Sequence, residues 1–199
     1  MRSRWALALV FVLFAGGVAF AEGERAFRFN LVYSMPTSDF DPGGGETTEL
    51  DENLGLEAGL EFMVTERIGI EPAIGLLESE LIFMEPGQPD MDDGDVEGVR
   101  ILGAVNIHFG NDRVDLFAGP VLGYMLWDDI QPVGMSPGVP VDDEFIFGAG
   151  FGLNVPAGES SWSFNAQLRY LEMELSPEAN SNVLGIDPVE LLIGASVRF

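Results

Sequence analysis

From Val189 to Phe199 the chain alternates strictly, with Val189, Leu191, Ile193, Ala195, Val197 and Phe199 on one face and Glu190, Leu192, Gly194, Ser196 and Arg198 on the other. Successive side chains of a β-strand point to opposite faces. The segment is therefore a strand with an apolar row on one side and a mainly polar or small row on the other. The same period of two recurs between turn signals along the chain. It predicts eight strands, at 25–35, 54–64, 68–77, 98–109, 114–127, 145–155, 162–173 and 188–199. In the first, Phe27, Phe29, Leu31, Tyr33 and Met35 oppose Arg28, Asn30 and Ser34; in the second, Leu54, Leu56, Ala58, Leu60, Phe62 and Val64 oppose Gly55, Glu57, Gly59 and Glu61. Pro72 weakens the pattern in the third.

The connections alternate in length. Residues 65–67, 110–113 and 156–160 are tight, while 36–53, 78–97, 128–144 and 174–187 are long. Short turns at one rim and long loops at the other, with an even strand number, predict an all-β, eight-stranded antiparallel up-and-down transmembrane β-barrel. A soluble lipocalin-like carrier would put its bulky apolar residues inside; here Phe27, Phe29, Leu60, Phe62, Phe147, Phe151, Phe164 and Leu168 oppose Gly, Asn, Glu and Arg. Tyr33, Tyr124, Trp127, Phe145 and Tyr170 fall near the long-loop ends, and Phe27, Phe109, Trp162 and Phe199 near the short-turn ends. Those are the two heights of an interfacial aromatic belt.

The N-terminus adds a compartment. Arg2 and Arg4 precede an apolar run from Trp5 to Phe14, and Ala19-Phe20-Ala21 has the small-residue spacing of a cleavage site. Residues 1–21 thus read as a secretory signal peptide and 22–199 as one outer-membrane barrel domain. No other stretch is long and apolar enough to span as a helix. The chain has no Cys, so strand pairing and burial must hold the fold without disulfides. All nine basic residues are Arg, and the seven beyond residue 21 face 33 carboxylates, a net charge of −26. That charge excludes electrostatic binding of nucleic acid.

In its closing strand, terminal Phe199 and apolar-out, polar-in strands, the chain resembles the small bacterial outer-membrane barrels of the OmpA and OmpW kind. The resemblance implies a Gram-negative cell envelope, outer-membrane lipid as surroundings, the barrel-assembly machinery as a partner in biogenesis with Phe199 as its signal, and a monomer without cofactor or metal.

Eight strands leave a lumen just wide enough for side chains, which argues against a general diffusion pore. The inward charges form two levels: Arg28, Glu61, Glu71, His108, Asp115 and Arg198 near the short-turn rim, and Glu57, Arg100, Arg169 and Glu190 above. Enclosed charges are costly unless paired, so a salt-bridge plug is expected, with a structural role or small-solute passage on rearrangement; the OmpA-type resemblance implies such a gate. A four-residue loop at 110–113 would pair His108 with Asp115. Nearer the long loops, Leu77, Leu102, Met125, Ile146, Leu171 and Met173, with Leu192, face inward. These are either packing or a candidate apolar mouth pocket, the latter being what an OmpW-like channel or binder for small hydrophobic molecules implies.

Catalysis has little to work with. A nucleophile-and-base site needs a His near a Ser or Asp facing substrate, and His108, the one histidine, lies beside a short turn with Gly110 two positions on. The His-x-Ser arrangement of lipid-modifying barrel enzymes is absent, and no catalytic residue is assigned. The long loops are acidic, and Asp90 to Asp95 misses the spacing of a calcium-binding loop. A solvated, self-repelling loop face is expected.

Overall fold

The computed structural model describes residues 24–37, 47–84, 91–111, 113–132, 139–176 and 184–199. The proposed signal peptide and the centres of the long loops lie outside these residues. Eight long strands form the wall: β1 (Arg25–Met35), β3 (Asn53–Met63), β4 (Ile68–Met84), β5 (Met91–His108), β6 (Asp115–Trp127), β8 (Glu144–Pro156), β9 (Trp162–Leu175) and β11 (Val189–Arg198). Three short strands, β2 (Thr47–Leu50), β7 (Gln131–Pro132) and β10 (Leu184–Ile186), pair onto the long-loop ends of β4, β5 and β9. Each wall strand pairs antiparallel with its neighbours in sequence. The ring shuts where β1 meets β11, from Ala26 opposite Arg198 to Met35 opposite Val189. The sheet has no free edge along its wall, as a barrel in lipid requires.

Alternation and burial agree strand by strand. Phe145 and Phe164 are 76 % and 67 % exposed on the outside, whereas Arg28, Glu57, Arg100, Arg169 and Glu190 are buried inside. The outer face is thus apolar, while the interior encloses charged residues together with an apolar cluster toward the long loops. Leu60 and Phe62 are outward by alternation yet buried. They lie beside an interruption of the β3–β4 ladder, which passes from Gly59–Ala73 to Phe62–Ile70. Pro72 sits in the gap, without an N–H to donate.

The structure corrects the sequence reading in four places. First, β4 runs to Met84 and β5 starts at Met91, so much of the expected long loop 78–97 is paired strand, including the acidic run from Met91. The acids hid this because Glu78, Ser79 and Glu80 show no hydrophobic contrast between faces. The ladder skips Asp93 between Leu81–Gly94 and Ile82–Asp92, and Gly94 takes a φ of 149° there. Second, the turn after β5 is tighter than expected. Asn111 bridges Val114, and the Asn111 side-chain oxygen accepts from the amides of Arg113 at 2.9 Å and Val114 at 3.2 Å. This local cap shifts the register so that His108 stands opposite Phe117 rather than Asp115. Third, Trp127 is not part of the aromatic belt: it points inward and is 4 % exposed, while Tyr124 lies outside, edge-on to Phe145 at 5.2 Å between ring centroids. Fourth, Leu192 lies on the short-turn side of Glu190 along β11, opposite Val32, and does not reach the mouth.

Candidate functional site

The upper charges close into a ring. The Arg100 guanidinium donates to Glu57 Oε2 at 2.9 Å and to Glu190. Arg169 donates to both Glu57 oxygens, at 2.7 and 3.2 Å, and its Nε lies 3.6 Å from Glu190 Oε2. Two cations and two anions alternate around the ring, all four buried and the set electrically neutral. They come from β3, β5, β9 and β11. Because β5 and β11 stand on opposite sides of the barrel, the Arg100–Glu190 bridge crosses the bore. Charge-assisted bonds of this kind are the strong class of hydrogen bond, and here every formal charge has an opposite partner.

The lower level is larger and unbalanced. Arg28 donates to Glu61 and Glu71 at 2.6 Å each, and the Asn106 amide donates to the same two carboxylates at 2.7 and 2.8 Å. Beyond them His108 reaches Glu61 with Nε2 at 3.1 Å and Asp115 with Nδ1 at 2.9 Å, and Asn154 donates to Asp115 at 3.0 Å. So His108 and Asp115 do meet, though diagonally across the ladder. Three carboxylates here share one arginine and one histidine. Phe117, missed in the sequence, lies between them: Arg28 stacks over its ring at 4.5 Å, and the His108 ring lies 5.7 Å from it. The signal was present, since Phe117 is a large aromatic on an inward position and faces Gly152, which leaves it room. Arg198, expected in this level, sits instead at the rim with its side chain 41 % exposed, 3.3 Å from Glu24. It is the last residue of β11, where the wall no longer encloses it.

Leu77, Leu102, Met125, Ile146, Leu171 and Met173 are all buried, in one cluster with Val96, Trp127, Ile130, Val141, Leu175 and Ile186. Members come from β4, β5, β6, β8, β9, β10 and the connection between β6 and β8, and none from β1, β3 or β11. Leu102 lies deeper along β5 than Arg100, so apolar packing and upper charges overlap in height rather than stacking as separate layers. At the opposite end a polar vestibule of about 420 Å³ opens at the short-turn rim, with Arg28, Glu61, His108 and Asp115 in its lining. Arginines beyond residue 21 lie either inside the lumen (28, 100, 169) or at the short-turn end (25, 67, 113, 198), and among the described residues the charged groups of the long-loop end are all carboxylates. Among the described residues, no group of three or more His, Cys, Asp or Glu could hold a metal ion.

No protein-family model matches the chain, and no curated protein matches its sequence. Solved structures do match its fold. The outer-membrane protein OprG from Pseudomonas aeruginosa superposes with a TM-score of 0.68 at 14 % identity, covering 89 % of this chain and 96 % of that one. Neisserial surface protein A gives 0.62 at 13 % identity over 89 % and 100 % of the two chains. AlkL, solved in lipid bilayers, gives 0.59 at 19 % identity over 90 % and 92 %. At these identities the likeness is one of fold: a closed, all-antiparallel eight-stranded barrel of the small outer-membrane type.

Proposed function

We propose that the chain is an integral outer-membrane barrel whose lumen is held shut by charge, with a structural role or, when the upper ring rearranges, passage of small solutes. The Glu57–Arg100–Glu190–Arg169 ring carries this reading, because it spans the bore and each of its charges faces an opposite one within 4 Å. The apolar outer wall supports placement in lipid, and the fold of the matching outer-membrane proteins supports which membrane. On this reading the short turns face the periplasm and the acidic long-loop end faces outward. The test is conductance of the refolded protein in a planar bilayer. Arg100→Ala removes the cross-bore arm, and its conductance should exceed that of the wild type; equal conductance would overturn the charge-plug reading.

A second reading has its own observation. The cluster around Met125 is continuous, apolar and reaches the long-loop end, so it offers a site for a small hydrophobic molecule entering from outside. Met125→Glu should then abolish binding of an apolar fluorescent probe. Unaltered probe binding would leave these residues as packing alone.

A further inference from the structure

His108 stands where the lower network meets the vestibule. Its Nδ1 lies 3.0 and 2.9 Å from the two Asp115 oxygens and its Nε2 lies 3.1 Å from Glu61 Oε1. A neutral imidazole has one N–H and one lone pair, and only the imidazolium donates from both nitrogens. With the ring neutral, one carboxylate would face a lone pair, and Arg28, helped at Asp115 only by Arg198 from the rim, would have to offset Glu61, Glu71 and Asp115. The groups around the ring are Asp115 on β6, Glu61 on β3, Glu71 on β4 joined through Asn106, Arg28 on β1 across Phe117, and Asn154 on β8 holding Asp115. Arg198 on β11, with Glu24, Arg25, Glu66 and Arg67, completes the charged lining of the vestibule. Water at the short-turn rim therefore has a route to this ring, whereas the upper ring is buried and consists of two arginines and two glutamates.

We propose that His108 is a proton-operated latch at the short-turn end of the lumen. As imidazolium it ties β5 to β3 through Glu61 and to β6 through Asp115. On losing one N–H proton to water in the vestibule it becomes neutral and releases one of the two carboxylates, with no other bond made or broken. The stabilisation is thus present while the ring is charged and is lost as pH rises through its titration.

The proposal rests on the lumen being closed by charge, so its test uses unfolding rather than conduction. The full barrel, refolded in detergent, is unfolded in denaturant at a series of pH values while the His108 ring resonances are followed by NMR. The unfolding rate should rise about tenfold, a change of about 1.4 kcal/mol, over the pH range in which the ring loses its proton. The step should vanish in His108→Gln and shrink in Asp115→Asn. A flat wild-type profile through the titration, or an undiminished step in His108→Gln, overturns the latch. If Arg100→Ala still raises conductance in that event, the charge-closed lumen stands without it.

Discussion

At the scale of single residues, the lumen is a matter of reach. Arg100 and Glu190 are 90 positions apart in the chain and meet only because their strands stand across the bore. Alternation told which residues face inward, and all four members of the upper ring were legible that way. Which carboxylate each guanidinium takes was not, because a period of two gives a side chain's face but not its length of throw. The same limit explains Arg198, which shares the inward face but sits past the point where the wall encloses it. Removing one member of a buried set is costly because the partners stay behind unpaired. Arg100→Ala should therefore destabilise the barrel by about 3–5 kcal/mol, less wherever water enters the lumen. Denaturant unfolding in detergent checks this; a loss well under 1 kcal/mol would mean the ring contributes little to closure.

Strands and turns show where a pattern of contrast stops carrying information. Where one face is apolar and the other polar, predicted and observed strands agree to within a residue or two, and β1 agrees at both ends. In the outer halves of β4 and β5 the contrast between faces is lost, Glu78 to Glu80 being polar on both faces and Leu81 to Met84 apolar on both, and the strands continue unannounced. There Glu78 stands opposite Glu97 and Glu80 opposite Asp95, all four exposed. Like charges directly across a ladder oppose pairing, and an opposite pair contributes roughly 0.2–1 kcal/mol. Glu78→Lys should therefore slow amide exchange in this hairpin at low salt, with the gain fading as salt is added. Unchanged exchange at low salt would show that the outer hairpin is held by its backbone ladder alone. The register at Asn111 teaches a related point: a single capping side chain moved the ladder by two positions on β6, and nothing in the hydrophobic pattern reports such a cap.

For the whole molecule, a ring of paired strands with no edge resists unfolding by detergent, because every wall strand must lose two neighbours at once. The refolded protein should migrate differently on an unheated gel than after boiling, and recovery of native protein in a soluble fraction would defeat the membrane reading. The narrow bore also offers an engineering handle. Glycines lie beneath the long arms: a Cβ at Gly75 would come within 2.6 Å of Arg100 Nε, one at Gly59 within 2.6 Å of Glu71, one at Gly69 within 2.7 Å of Glu61 and one at Gly150 within 2.5 Å of Gln167. At these places the wall and the arms that cross the bore are made by different residues, glycines beneath and a few long side chains above. If the lumen is closed by charge as proposed, trimming charged inserts in matched pairs would leave the lining intact and open a nanopore whose aperture is set by the choice of arms.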